Sequence, residues 1–435
     1  MRQVFLLALL AAFVCTSARA DLAGYVAAKD PTYAWSRIGG SPANSPVQYD
    51  ELYMVSQTWH GIAWKHKLII VRPAAMEKNT LALLIIGGGS WREGRERENI
   101  DPKSGDLRMA AMVATSTKMP VAFLQCVPFQ PVFGGLKEDQ IIAHTFDQYL
   151  NTGEEDWPLL LPMAKSAVRA MDTVQEFAKN QWQTDVTKFV VTGASKRGWT
   201  TWLTGAADER VAAIAPMVID VLNMGAQMKK QKETYGGYSE QVGDYTRLKI
   251  QDRMDTEAGH KLLAIVDPYS YRQKLTMPKL ILLGTNDPYW TLDSLNLYYD
   301  ALPGEKHILY IPNSGHGLND PIRVIGGVSA LALQAAGKLT LPKLTWDLAE
   351  QGGGLRLSVG SDVKPASVAA WLAESPTKDF RKANWHQQAI TPVDGKYAYE
   401  LKSPEKGYAA MFGEAVYDLD GRRVYLSTNV RICGK

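Results

Sequence analysis

Cysteine, histidine, net charge and long hydrophobic runs are all scarce in this 435-residue chain. There are 3 cysteines and 7 histidines, and 48 basic residues stand against 45 acidic ones, for a formal charge of +3. Near-neutrality gives no electrostatic case for nucleic acid or for an anionic membrane surface. Two widely spaced cysteines beyond the first twenty residues make no zinc site, and no other cofactor is called for. No heptad or collagen-like repeat occurs, and nothing in the composition reads as disordered. After residue 20 no apolar stretch approaches the roughly 20 residues that a spanning helix needs.

The apolar run that does occur lies at the start. Met1 and Arg2 precede an uncharged stretch over residues 4–14, and Ala18-Arg19-Ala20 supplies the small-x-small pattern of a signal-peptidase site. Val14 is a poor residue before a lipidated Cys15, so cleavage after Ala20 is expected, with a periplasmic or secreted product. Loss of Arg2 and Arg19 takes the charge from +3 to +1. Loss of Cys15 leaves Cys126 and Cys433, which sequence spacing alone neither pairs nor separates.

What the chain has in quantity is apolar material, 46% of residues with only 21% charged. Residues 53–73 alternate as two strands around His60-Gly61. Residues 81–86 form an unbroken apolar run closed by Gly87-Gly88-Gly89, as expected of a strand buried on both faces. Strand and helix patterns then alternate: helix 106–118, strand 121–127, helix 159–182, strand 188–192, helix 196–205, strand 211–219, strand 279–283, helix 293–301, strand 307–311 and helix 320–337. Alternation at this length predicts right-handed crossovers, a mostly parallel sheet and an α/β fold. Residues 221–277 break the rhythm, being polar and free of a buried strand. They are too long for a simple connection and read as a lid-like insertion over the site, with surface padding as the plainer alternative. The α/β part is placed at 21–340. From 341 to 435 short alternating segments separated by glycine-rich turns predict a small all-β sandwich.

The strongest local signal is Thr192-Gly193-Ala194-Ser195-Lys196-Arg197-Gly198. A β-rich run meets a helix through a sharp turn with Ser195 at its apex, the arrangement of a nucleophile elbow. The usual pattern is G-x-S-x-G; here Arg197 occupies the place of the second glycine and Gly198 follows one later. A serine that merely caps the helix is the plainer reading. The partners of a serine nucleophile follow in the order acid, then histidine, each after a later strand. Asp287 ends the run after residues 280–283, and His316 follows residues 307–311. Asp220, at the end of the strand after Ser195, is the alternative acid. Oxyanion donors are expected from Gly88 or Gly89 in the glycine loop and from the backbone N–H of Lys196. A phosphate-binding loop is disfavoured because neither the Walker nor the dinucleotide glycine pattern is present. Trp91, Trp199 and Trp290 flank these motifs and are candidates for a pocket wall, although most tryptophans are core. Lys196 and Arg197 are read as closing a salt bridge under the site in preference to binding a substrate carboxylate. Residues 92–98 mix both charge signs and read as a solvated loop.

These residues resemble the PhoPQ-activated pathogenicity-related proteins. The likeness rests on Ser56-Gln57-Thr58-Trp59, Pro162-Met163-Ala164-Lys165, Ala170-Met171-Asp172, Val218-Ile219-Asp220, Val266-Asp267-Pro268-Tyr269-Ser270-Tyr271 and Pro312-Asn313-Ser314-Gly315-His316. The run from Thr192 through Trp199 to Thr204 is the most specific. The resemblance implies an exported α/β-hydrolase-like protein, linked by the family's name to a two-component regulon and virulence, with Ser195, Asp287 and His316 matching the family's triad positions. The family tends to carry two phenylalanines after the acid, where Pro288-Tyr289-Trp290 stand here, so a different pocket shape is expected. Together the residues predict a serine hydrolase forming an acyl-enzyme on a small-molecule or polymer-borne ester. A peptidase, or a non-catalytic binding protein, is the alternative.

Overall fold

The computed structural model describes residues 21–435 apart from 43, 46, 74, 75, 77, 78 and 394. The proposed signal segment, residues 1–20, lies outside the described residues.

After a short helix α1 (Leu22–Ala27), the chain forms β1 (Ala34–Gly40), β2 (Gln48–Trp59), β3 (Ile62–Arg72), β4 (Asn79–Ile86), α2 (Gly105–Thr117), β5 (Val121–Leu124), α3 (Asp139–Thr152), α4 (Leu160–Phe177), β6 (Asp185–Ala194), α5 (Lys196–Ala207) and β7 (Val211–Met217). The segment between β7 and the next strand holds α6 (Met224–Tyr235), α7 (Gly243–Arg247) and α8 (Glu257–Val266). Then come β8 (Lys279–Gly284), β9 (Lys306–Ile311) and α9 (Pro321–Ala335). Residues expected to be helical near 293–301 form only two short 3-10 turns, Ser294–Leu297 and Tyr299–Ala301.

The sheet runs β1-β2-β3-β5-β4-β6-β7-β8-β9. From β5 to β9 every neighbour pair is parallel, whereas β3 is antiparallel to both β2 and β5. Leaving aside β1, this is the strand order of an α/β hydrolase. Burial on both faces explains the unbroken apolar runs. In β4, Leu83 and Ile85 pack with α2 and α9, while Leu84 and Ile86 pack toward α4 and α5. The parallel strands end at one edge, so the loops after β4, β6, β7, β8 and β9 converge there, as ligand crevices in open α/β sheets do. No helix among the described residues is long and apolar enough to cross a membrane.

The C-terminal region is less separate than a self-contained module. Its strands are β10 (Leu344–Gln351), β11 (Gly354–Ser361), β12 (Ser367–Ser375), β13 (His386–Ala389), β14 (Tyr397–Lys402), β15 (Tyr408–Leu419), β16 (Arg422–Ser427) and β17 (Arg431–Gly434). β10, β11 and β14 form their own sheet, but β16 pairs with β9 through Ser427 and Ile308. The main sheet therefore continues as β9-β16-β15-β12-β13. The two layers share one core, with Leu355 and Leu357 packed against Met411, Ala415 and Leu426. Cys126 and Cys433 are buried and free, so they form no disulfide.

Candidate active site

Ser195 stands between β6 and α5 with φ 60° and ψ −130°. A non-glycine residue at positive φ is costly and is held there by its surroundings. Here the Ser195 N–H donates to the Met217 carbonyl at 2.9 Å, tying the turn to β7. The close helix–strand approach that the usual second glycine permits is made one position later. A Cβ on Gly198 would meet Ile219 Cγ2 at 2.7 Å and the Met217 carbonyl at 2.8 Å. The turn keeps its tightness while Arg197 points elsewhere.

His316 follows β9 and Asp287 follows β8. His316 Nδ1 lies 2.8 Å from Asp287 Oδ2, while Asp287 Oδ1 accepts from the Tyr289 N–H at 2.9 Å. A carboxylate acceptor requires the proton on Nδ1 and leaves the Nε2 lone pair free. Nε2 is buried, and no protein group hydrogen-bonds to it. The Tyr289 ring lies against the imidazole with centroids 4.2 Å apart. Ser195 and His316 line the same pocket, a narrow space of about 50 Å³. Its far side is formed by Met224, Met228, Val242, Tyr245 and Met254, all from residues 221–277.

Asp220 is not brought to the histidine. It is fully buried and accepts from Tyr298 Oη at 2.6 Å. Burial pushes its carboxyl up to about 7, against the opposing Tyr298 hydrogen bond, and the nearby Asp287 charge adds to the rise. Of the tryptophans, Trp199 and Trp290 line the pocket. Trp91 packs instead on Tyr53 and Phe129, with centroids 5.8 and 6.3 Å away. Gly88 shares a groove with Ser195 and His316, and Lys196 opens α5 directly after the serine. Gly89 has φ 113°, and its carbonyl accepts from Gln130 Nε2 at 3.1 Å.

The side chains of Lys196 and Arg197 form ion pairs that sequence left without named partners. Arg197 donates Nη1 and Nη2 to Glu138 at 2.7 and 2.6 Å. The buried Lys196 Nζ sits 2.8 Å from Glu138 and 3.1 Å from Asp139. Asp139 also accepts from Tyr245 Oη at 3.0 Å, which links the elbow to α7. Burial opposes ionisation of Glu138, but the hydrogen bonds and charge of Arg197, joined by Lys196, hold its carboxyl down at about 2. Glu138 and Asp139 lie nearly sixty residues from the elbow, at the start of α3, with no motif to flag them.

The C-terminal region also reaches the site. Asn286, next to Asp287, donates Nδ2 to the Ala383 carbonyl at 2.7 Å. Asn313 exchanges two hydrogen bonds with the Trp385 backbone, at 2.8 and 2.7 Å. Just before these residues, Arg381 pairs with Glu240 at 2.9 Å and lies over the Tyr235 ring at 4.2 Å. One loop therefore holds the two turns that carry Asp287 and His316 and also touches the 221–277 segment.

The family model for the PhoPQ-activated pathogenicity-related protein matches residues 22–381. The chain belongs to that family. Within and around it, the chain is 33% identical over 454 residues to autocrine proliferation repressor protein A of Dictyostelium discoideum, covering 95% of this chain and 89% of the relative. Similar solved structures include an acetyl xylan esterase from Paenibacillus sp. R4, 12% identical, covering 68% of this chain and 86% of that one, with TM-score 0.46. A glucuronoyl esterase from Solibacter usitatus is 15% identical, covering 72% of this chain and 91% of that one, with TM-score 0.43. The Arg197–Glu138 pair in this PhoPQ-family member falls inside the matched span, as do Ser195, Asp287 and His316.

Proposed function

We propose that this PhoPQ-family protein is an exported serine hydrolase that acts through an acyl-enzyme, with a carboxylic ester as its preferred substrate. The observation that carries the reading is the His316–Asp287 hydrogen bond. It leaves a buried, unpartnered Nε2 in the same pocket as a serine held at positive φ. In this reading the Ser195 hydroxyl gives its proton to His316 Nε2 as Oγ bonds to the ester carbonyl carbon. The alkoxy group leaves with that proton as its bond to the carbonyl carbon breaks. Water then passes a proton to His316, attacks the acyl carbon and frees the acid, and the proton returns to Ser195. Asp287 holds the imidazole in its tautomer, and backbone N–H groups of Gly88 and Lys196 receive the negative oxygen. No step requires a metal or an organic cofactor.

Residues 221–277 serve as a lid over the small pocket. About 50 Å³, against roughly 10–15 Å³ for one water, suits a limb of few heavy atoms on that side. Residues 1–20 direct export, with cleavage after Ala20. Intact mass of protein from the periplasmic fraction checks that point, since a retained leader would contradict it.

Fluorophosphonate labelling read by intact mass tests the chemistry. One adduct on the wild type, lost in Ser195→Ala and His316→Ala, is expected. An unlabelled, folded wild type would favour a second reading, a binding or signalling protein. The name of the Dictyostelium relative, autocrine proliferation repressor protein A, is what recommends that reading. A peptidase on the same three residues is separated from an esterase by comparing matched ester and amide substrates.

A further inference from the structure

Ser195 and His316 face a second space besides the pocket under residues 221–277. A groove of about 800 Å³ opens on the other side of them, between α2 and α9. Its walls are mostly apolar, with Met109, Met112 and Val113 from α2, Phe123 from β5, and Val324 and Val328 from α9, while Arg108 and Arg197 add two charged side chains. Its inner end reaches Gly88 and Ser195. The two spaces differ more than tenfold in volume, and the groove falls in the range of roughly 300–1,000 Å³ typical of ligand sites.

A second observation concerns the mouth. Met112 is 56% exposed and Ile322, on the first turn of α9 beside the groove-lining Pro321, is 73% exposed. Large apolar side chains left in water at the rim of an apolar groove mark a contact surface. A cleft of about 890 Å³ beside His316, lined by Glu240, Glu374, Asp379, Arg381 and Lys382, offers the polar alternative. Ser195 is not among its lining residues, so a scissile carbonyl at Ser Oγ is bordered by the apolar groove and the small pocket.

We propose that the groove between α2 and α9 is a substrate subsite for an aliphatic chain, so that the ester carries one short limb under residues 221–277 and one long hydrocarbon limb along the groove. This rests on the serine-hydrolase reading above. The chain arrives either as the acyl group of a long-chain ester or as the alkoxy group of a short-acyl ester; the hydrocarbon recognised is the same.

Two ester series on wild type and Ile325→Trp test it, one lengthening the acyl chain on p-nitrophenol, the other lengthening the alcohol of alkyl acetates. Ile325, on α9, lines the groove. In one series kcat/KM is expected to rise about fourfold per methylene over the first several carbons, and the series that rises identifies the limb. Ile325→Trp should abolish that rise, and a rise of the same steepness in the variant would overturn the groove proposal. A flat or falling profile in both series, on an enzyme that hydrolyses acetate esters, overturns the groove proposal while leaving the hydrolase reading intact. Binding of a fluorescent fatty acid to Ser195→Ala, lost in the Ser195→Ala/Ile325→Trp double variant, is also expected. If no ester is turned over but this binding is seen, the groove takes hydrocarbon without being a substrate subsite, and the hydrolase reading falls with the subsite proposal. If neither is seen, both fall.

Discussion

Gly88 and Arg197 meet so closely that a Cβ on Gly88 would lie 2.6 Å from Arg197 Nη2 and 2.8 Å from its Cζ. The arginine stands where the usual elbow has its second glycine, and its guanidinium spans from the glycine loop to Glu138. Its Nε also donates to the Val127 carbonyl at 2.5 Å. One side chain thus fixes the spacing between the two segments proposed to supply the oxyanion donors.

Gly88→Ala is expected to push Arg197 off Glu138 and to shift the loop N–H away from the reacting oxygen. A misplaced oxyanion donor costs about 10²–10³ in kcat. Steady-state kinetics on a short ester measures it. Retention of wild-type kcat would show that the Gly88 N–H takes no part.

Glu138→Gln removes the carboxylate that Lys196 and Arg197 share. A loss of about 1–3 kcal/mol in denaturant-measured stability at pH 7 is expected, toward the low end because the Glu138 side chain is 40% exposed. The Glu138 carboxyl is held at about 2, below its ordinary 4.5. The ionised form therefore stabilises the fold fully above pH 4.5, and that contribution is lost as pH falls from there toward 2. The variant should lose this part of the acid dependence. A parallel decline in variant and wild type between pH 5 and 2.5 would contradict it.

Asp220 and Asp287 should respond in opposite ways to amidation. Asp287→Asn upsets the histidine tautomer and is expected to lower kcat by about 10³–10⁴. Asp220→Asn should leave kcat within a few-fold. With its carboxyl raised to about 7 from 3.8, Asp220 stays protonated in the native state at pH values where the unfolded chain has released the proton. Wild-type stability should then fall as pH rises from about 4 to 7. Asp220→Asn should erase that slope and exceed the wild type by about 1–3 kcal/mol at pH 8. Melting curves across pH 4–8 check this. A large loss of kcat in Asp220→Asn would instead make it the working acid.

Asn313→Ala breaks the paired hydrogen bonds to Trp385 that hold the turn before His316. A fall of about tenfold in kcat with little change in KM is expected, because the imidazole loses its aim while the pocket walls stay in place. Equal effects on both constants, or none, would remove the C-terminal region from any part in positioning the base.

Most of the alternation of strands and helices, though not β1, α3 or the short turns at 294–301, was legible in the amino-acid sequence, as were the sharp turn at Ser195 and the order serine, acid, histidine after later strands. Those features are local: apolar periodicity, glycine placement and the ends of buried runs are written within a dozen residues. Tertiary structure decided the rest, because it depends on which distant groups share an edge. Asp220 and Asp287 both follow buried strands, and only the packing of β8 against β9 gives the histidine to Asp287 and leaves Asp220 with Tyr298. Trp91 and Trp199 both flank motifs, yet only the second faces the pocket. Glu138 carries no local mark, and it meets Arg197 because the loop before α3 passes over the end of β6. The strands after residue 341 alternate as an independent module would. They extend the main sheet because β9 presents an open edge, and backbone groups at a buried edge must find partners.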